Sequence, residues 1–501
     1  MSKSQLSFSS VSFSYDSLAT PLVRDLSFVA SAGWTGIVGP NGVGKTTLLQ
    51  LAAGALEPQA GSVSRPAPVV VCEQRTDFMP TALTDLLRFE TADAGRLISI
   101  LGIEVDWPYR WDTLSYGERK RAQIGSVMYA HPELFIVDEP TNHLDRDARL
   151  MLREALEGFE GVGLIVSHDR ELLDGLCSHC LFLSPHRPPA MRPGGVTQGL
   201  AAQGREDHER RDRYSAAVAA ERKIVAEAAR RREKAASAHK MRSKRNLSRK
   251  DSDGREKIDR ARISGQDGAA GRLLSQLEGR IAQAQAARDE ASDAPVHERV
   301  GISVSGSRAN SDAIVKLETM AIPIGQRTLH VPAIHVRPED RIGVVGPNGT
   351  GKSTLIAELM RRIGRNERVL YIPQELSANE AASALRELKH LPNDKLGEAV
   401  SIFARLGSDP EQLLESTQPS PGEARKILLA LGLLREPHLI VMDEPTNHMD
   451  LVSIECLEKA LQEYVGALLL VSHDLRFLET LAPDRWEIRR GDDANCQLLT
   501  L

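Results

Sequence analysis

The sequence predicts an α/β fold built twice over: two domains with mainly parallel sheets, joined by a long helical hairpin. Three observations carry this. Apolar runs such as Thr35-Gly-Ile-Val and Leu439-Ile-Val-Met alternate with helical stretches at both ends of the chain, as strands alternate with crossover helices in a parallel sheet. A phosphate-loop motif follows an apolar run once in each half. Between the halves lies a stretch rich in Ala, Glu, Arg and Lys, which is helical composition. The boundaries expected are 1–204, 205–300 and 301–501.

Bulk properties narrow the class. A chain of 501 residues with 41% hydrophobic content holds two or three domains, each able to bury its own core. No apolar run approaches the roughly 18 residues that cross a bilayer, and Met1-Ser2-Lys3-Ser4-Gln5 lacks the apolar core of a signal peptide. A soluble, cytoplasmic protein is expected. Cys177 and Cys180 have Cys-x-x-Cys spacing, but no second ligand pair accompanies them. Buried free thiols are expected there rather than a metal or redox centre.

The first domain carries Gly39-Pro40-Asn41-Gly42-Val43-Gly44-Lys45-Thr46-Thr47, and the second carries Gly346-Pro347-Asn348-Gly349-Thr350-Gly351-Lys352-Ser353-Thr354. Such a loop closes backbone N–H groups around phosphate oxygens, with the positive end of the following helix behind them. Lys45 and Lys352 are expected on the β- and γ-phosphates of ATP, and Thr46 and Ser353 on Mg²⁺. Downstream, apolar strands end in Asp138-Glu139 and Asp443-Glu444. The aspartates suit the Mg²⁺ shell, and the glutamates suit orienting or deprotonating the attacking water. His168 and His473 each follow a further apolar strand by two residues, which fits a side chain reaching the γ-phosphate. Lysine to glutamate spans 94 residues in one copy and 92 in the other, and glutamate to histidine spans 29 in both. Chance does not repeat a spacing that closely.

The connecting stretch runs from Arg205 to about Asn246 without Pro or Gly, enough for one helix of about 60 Å. Helical composition resumes from about Ala269 to Ala291 after Gly254, Gly265 and Gly268. Leu273, Leu277 and Ile281 are expected to face Tyr214, Val218 and Val225 in an antiparallel hairpin. From Arg230 to Arg262 there are 14 Lys+Arg against 5 Asp+Glu. Lys240, Arg242, Lys244, Arg245, Arg249 and Lys250 cluster at the expected tip, a footprint of phosphate-backbone contact, and the scarcity of aromatics argues against base stacking.

These motifs, with Leu114-Ser115-Tyr116-Gly117-Glu118 as a signature stretch, resemble the ATP-binding cassette ATPases, whose fold adds a helical subdomain to each cassette. The doubled Asp-Glu-Pro-Thr-Asn-His-[Leu/Met]-Asp, the tandem arrangement and the charged linker resemble the ABC-F subfamily. That resemblance covers essentially the whole chain. It implies an ATP hydrolase that binds the ribosome, ribosomal RNA and tRNA included, in its ATP-closed form. The linker points toward the peptidyl-transferase region, and hydrolysis releases the protein. Housekeeping translation factor and antibiotic-resistance protein both remain open. The resemblance also implies Q-loop roles for Gln74 and Gln374 in the Mg²⁺ shell, and D-loop roles at the cassette interface for Asp145 and Asp450. Tyr15 matches the aromatic that stacks on adenine, a position without a ring in the second copy.

In that fold each signature completes the opposite site. Ser420, Gly422 and Glu423 belong with the Lys45 site, and Ser115, Gly117 and Glu118 with the Lys352 site. The second signature reads Ser420-Pro421-Gly422-Glu423 where the family usually has two glycines. Proline is tolerated in a first helical turn but removes a donor that could face phosphate, so slower turnover is expected at the Lys45 site. Intervals of 41 residues from Gln74 to Ser115 and 46 from Gln374 to Ser420 leave no room for an inserted arm, and the chain ends 28 residues after His473. Ribosome contact is then expected on the cassettes and linker of a monomer that pairs its own cassettes, without a membrane subunit. A transporter ATPase subunit and a DNA-repair or chromosome-associated cassette ATPase are the competing classes.

Overall fold

The computed structural model describes residues 4–16, 21–88, 90–185, 187–241, 266–291, 306–364, 366–406, 408, 410–415, 418–447, 449–491 and 495–501. Its first sheet runs in the order Val69–Cys72, Leu134–Asp138, Val162–Val166, Gly33–Val38, Cys177–Ser184, Arg187–Pro193. The first five strands are parallel and the last is antiparallel. Leu134, Phe135, Ile136 and Val137 are all fully buried, because a parallel sheet is covered on both faces and its strands need not alternate. A separate antiparallel sheet of Val23–Ala30, Leu6–Phe13 and Ala60–Ser64 does alternate, with Leu6, Phe8, Val11 and Phe13 turned to the core.

The second copy repeats the five parallel strands as Asp484–Arg490, Arg341–Val345, Ala467–Val471, Leu439–Asp443 and Val369–Ile372. Here the hairpin Met320–Ile324 and Arg327–Val331 joins the main sheet, through a pairing of Leu329 and His330 with Cys496 and Gln497. In both copies helices are inserted between the strand preceding Gln74 or Gln374 and the strand ending in Asp-Glu. They are Leu83–Leu86, Ala92–Leu101 and Tyr116–Tyr129 in the first copy; the second has Ala378–Lys389, Asn393–Arg405, Pro410–Glu415 and Pro421–Leu433.

The chain divides into two compact units, one of Met1–Gly199 with Arg299–Leu501 and the other Leu200–Glu298. The long helix spans Val196–Met241, starting nine residues before the expected Arg205 and running through Gly199 and Gly204. Its first turn explains the difference. Val196 is fully buried, the Thr197 amide donates to Asp174 Oδ1 at 2.8 Å, and a Cβ on Gly199 would collide with the Phe182 ring. That glycine marks close packing and does not break the helix.

Within the other unit a second helix, Gln266–Ala291, includes Gly268. Arg232 pairs with Glu278 at 3.0 Å and Arg288 with Glu221 at 3.2 Å. An advance of 11 residues along one helix thus matches a retreat of 10 on the other, so the helices are antiparallel. Ala228 and Leu277 are buried, whereas Tyr214 and Val225 of the expected seam stay 40% and 44% exposed. The side chains of Lys240 and Leu273, and residues Arg242, Lys244, Arg245, Arg249 and Lys250, lie outside the described residues, as do Gly254 and Gly265.

Candidate active sites

Each phosphate loop turns a buried strand into a helix: Gly33–Val38 into Lys45–Ala53, and Arg341–Val345 into Lys352–Arg362. Gly44 and Gly351 cap those helices at φ 97°, a conformation that a Cβ disfavours. Gly39 and Gly346 are needed for another reason. A Cβ there would lie 2.7 Å from the Leu183 carbonyl oxygen or 2.6 Å from that of Ile488, on the neighbouring strand. Lys45 Nζ donates to the carbonyls of Gly39 at 2.8 Å and Pro40 at 3.1 Å. Lys352 Nζ repeats this with Gly346 at 2.7 Å and Pro347 at 3.1 Å. Burial lowers the pKa of both lysines, against the pull of the nearby carboxylates.

The Asp-Glu pairs arrive on strands Leu134–Asp138 and Leu439–Asp443. Thr46 Oγ1 donates to Asp138 Oδ2 at 3.3 Å, and Ser353 Oγ to Asp443 Oδ2 at 2.7 Å. A hydroxyl and a carboxylate converging beside a phosphate loop are the hard oxygen donors that Mg²⁺ takes, so the residues present fit that ion. Glu139 and Glu444 adopt φ of 46° and 51°. A non-glycine residue there costs on the order of 1–3 kcal/mol, and the 2.8 Å bonds from their amides to the carbonyls of Val166 and Val471 hold the turn. Burial pushes the Glu139 carboxyl up to about 8 and the Glu444 carboxyl up to about 7. His168 Nε2 lies 3.1 Å from Glu139 Oε1, and His473 Nε2 lies 3.5 Å from Glu444 Oε1. His473 also meets Asn348 Oδ1 at 3.1 Å. Burial, with Lys352 and Arg149 close by, pushes the His473 ring down to about 3, so it is neutral near pH 7.

The two copies meet at these loops. Asp450 Oδ2 accepts the Asn41 amide at 3.1 Å, and Asp145 Oδ2 accepts the Asn348 amide at 3.1 Å. The other oxygen of each aspartate caps its own helix, taking the amide of Ser453 at 2.8 Å or Ala148 at 3.1 Å. Asn348 Nδ2 adds a bond to the His143 carbonyl at 3.0 Å. Each phosphate loop is thereby tied to the helix that follows the opposite copy's Asp-Glu strand. Two ion pairs that sequence reasoning missed also cross: Arg170 with Glu458 at 3.1 Å and Arg476 with Asp174 at 2.8 Å. Their partners lie some 290 to 300 residues apart in sequence, beyond any local pattern.

Ser115 and Ser420 cap the signature helices in matching capping boxes, each bonded to Glu118 or Glu423 at 2.7 Å. Gly117 lies against Leu144, and Pro421 occupies the first helical turn before buried Gly422. Behind these caps the copies diverge. Tyr116 Oη donates to the Gln74 carbonyl at 2.7 Å. Pro421 has no such donor, and the Gln374 carbonyl is held instead by Arg425, five residues after the signature serine. Arg425 also donates to the carbonyls of Glu444 at 3.2 Å and Asn447 at 2.7 Å. Its counterpart Lys120 is fully buried and bonds the Glu73 carbonyl and Gln123 Oε1. Tyr15 sits edge-on to Phe13, with its hydroxyl 3.3 Å from Thr47 Oγ1 on the helix after the first phosphate loop.

Cys177 and Cys180 are buried free thiols on one strand. A bulge at Ser178 turns residues three apart to the same side. No group of three or more metal-ligating side chains occurs among the described residues, nor any helix long and apolar enough to cross a membrane.

The ABC transporter family matches residues 23–142 and 329–447. The tylosin resistance ATP-binding protein TlrC of Streptomyces fradiae is 30% identical over 97% of this chain and 98% of its own length. The ribosome protection protein VmlR of Bacillus subtilis is 27% identical over 89% of this chain and 79% of its own. Among solved structures, archaeal ribosome recycling factor aABCE1, in complex with ribosomal stalk protein aP1, superposes with a TM-score of 0.61. It is 20% identical, covering 98% of this chain and 89% of that one, and it shares the fold.

Proposed function

Because the chain belongs to the ABC-F subfamily of ATP-binding cassette ATPases, and so binds and hydrolyses ATP, we propose that it does this on the ribosome. In this reading the ATP-closed form binds, the linker points toward tRNA and the peptidyl-transferase region, and hydrolysis releases the protein. The output is translation control or antibiotic resistance by ribosome protection. The protein acts in the cytoplasm as a monomer that pairs its own cassettes. The observation that carries the reading is the reciprocal tie of Asn41 to Asp450 and Asn348 to Asp145, on a chain whose two cassettes are separated by a basic helical segment. One polypeptide closes both sites at once, and the segment between them suits RNA. Lys240, Arg242, Lys244, Arg245, Arg249 and Lys250 are assigned to phosphate contacts there.

Lys45 and Lys352 hold the β- and γ-phosphates within loops formed by residues 39–47 and 346–354. Thr46, Asp138 and Gln74 hold Mg²⁺ in the first site, and Ser353, Asp443 and Gln374 hold it in the second. The ion neutralises phosphate charge. Tyr15 stacks on adenine in the first site. Glu139 and Glu444 accept a proton from the attacking water. His168 and His473 fix the geometry of carboxylate and γ-phosphate from the far side. Ser115, Gly117 and Glu118 complete the second site, and Ser420, Gly422 and Glu423 the first. Asp145 and Asp450 report the state of each loop to the opposite cassette.

Glu139→Gln combined with Glu444→Gln keeps the shape of both sites and removes the proton acceptors. The double variant is expected to bind ATP without turnover and to sediment with ribosomes in ATP but not in ADP. Sedimentation with membranes or DNA instead, or ribosome binding no stronger than that of the unaltered protein in ATP, would refute the ribosomal reading.

A further inference from the structure

The loops that carry the two switch histidines are built alike. Asp169 and Asp474 each cap the helix that follows, taking the amides of Leu172 and Phe477 at 3.0 Å. Each also donates its own amide at 3.1 Å to the serine before the histidine, Ser167 or Ser472. His168 and Arg170 from the first cassette, with His473 and Asp474 from the second, line one polar cavity at the interface. The likeness ends at the first helical residue, which is Arg170 in one copy and Leu475 in the other. Across the interface, Glu458 stands eight residues after Asp450 on the helix which that aspartate caps. The matching place in the first copy, eight after Asp145, is Arg153, which pairs with Glu157 of its own helix at 2.7 Å.

Arg170 and Glu458 meet face to face, Nη1 3.3 Å from Oε2 and Nη2 3.1 Å from Oε1. Their side chains are only 14% and 13% exposed, so solvent screens the pair little. A two-pronged guanidinium–carboxylate contact fixes orientation as well as distance. Leu475 and Arg153 cannot repeat it. Adjacent residues of the first switch loop are thus held by both cassettes: Asp169 by Arg149 of its own, at 3.3 Å, and Arg170 by Glu458 of the other. We propose that Arg170 and Glu458 are a positioning pair acting in trans: through Glu458 the second cassette sets the backbone from which His168 reaches Glu139 in the first site. His168 lies two residues before Arg170, and its Nε2 is 3.1 Å from Glu139 Oε1. Turnover at the Lys45 site is then conditional on docking of the helix that follows Asp450, in addition to what the opposite signature supplies. The Lys352 site, whose switch helix opens with Leu475, is free of that condition.

The inference rests on Glu139 and Glu444 being the water-activating pair, so the test begins there. Glu139→Gln leaves only the second site active, Glu444→Gln leaves only the first, and the double variant should be inactive. Residual turnover in the double variant would remove the premise and the proposal together. Removing one partner alone would strand a buried charge, so the pair is changed as a pair. Arg170→Leu with Glu458→Leu, and the reversed pair Arg170→Glu with Glu458→Arg, are placed in each single-site background, and kcat and KM for ATP are measured. With the neutral pair, first-site kcat is expected to fall on the order of tenfold and second-site kcat less than about twofold, with KM little changed. That loss stays below the roughly 10²-fold that a 1 Å misplacement can cost. The reversed pair should regain most of the first-site rate. Equal losses at the two sites, a larger loss at the second, a change confined to KM, or a reversed pair no faster than the neutral one would each overturn the proposal. Comparing backgrounds cancels any general weakening of the interface.

Discussion

In the first cassette a phenol holds the Q-loop: Tyr116 donates to the Gln74 carbonyl at 2.7 Å. In the second, a proline stands at that position, and the Gln374 carbonyl is held by Arg425, which also binds the carbonyls of Glu444 and Asn447. The motif residues themselves sit alike in both copies. What differs is the layer behind them. Replacing tyrosine by proline removes one donor; arginine in place of Lys120, four residues on, turns all three of its bonds to backbone carbonyls. In the first cassette Tyr116, Lys120 and Gln123 of the signature helix bind the carbonyls of Gln74, Glu73 and Arg75; in the second, one guanidinium joins the Q-loop to the segment that follows the catalytic strand. A repeated fold can keep its chemistry fixed and still let its two sites diverge through the residues that brace them.

The largest expected effect comes from removing that brace. Arg425→Met leaves three buried carbonyls without their donor, each bond to a charged group being worth about 1.5–3 kcal/mol. Thermal unfolding should show a loss of about 3 kcal/mol or more. Lys120→Met should cost less, because only one of the three bonds of the ammonium goes to a backbone carbonyl, that of Glu73, and the others go to the Gln123 side chain and, at 3.9 Å, to the Cys72 sulfur. Equal losses would mean that Arg425 is an ordinary buried residue and that the braces do not distinguish the cassettes.

A smaller effect separates the sites by pH. A general base works only when deprotonated, so a carboxyl with a raised pKa gains activity as pH rises through that value. Glu139 lies at about 8 and Glu444 at about 7. The acid limb of kcat/KM, which reports the free enzyme, should therefore lie at higher pH in Glu444→Gln, where the first site works alone, than in Glu139→Gln. Coincident or reversed limbs would break that part of the comparison.

Much of this architecture was legible in the sequence, for a physical reason. Phosphate loops, Asp-Glu strand ends and switch histidines are local: each needs a few adjacent residues in a fixed backbone shape, and the 29-residue interval from glutamate to histidine recurs in both copies. The cassette interface was legible only as two aspartates. That each takes a backbone amide of the opposite loop is a tertiary fact, as are the ion pairs Arg170–Glu458 and Arg476–Asp174. The stretch free of Pro and Gly begins only after Gly204, whereas the helix itself starts at Val196, and Gly199 within it admits Phe182. Arg425, five residues after Ser420, matches Lys120 as a basic residue in the sequence, but the carbonyls that it binds are brought to it only by the tertiary fold.

Pro421 and the raised Glu139 carboxyl bear on the Lys45 site in the same direction. Single-turnover hydrolysis by Glu444→Gln and Glu139→Gln at saturating ATP and pH 7 tests the claim of unequal sites most directly. The account predicts that Glu139→Gln, with the Lys352 site working, is the faster of the two. Equal rates, or a faster Lys45 site, would contradict it.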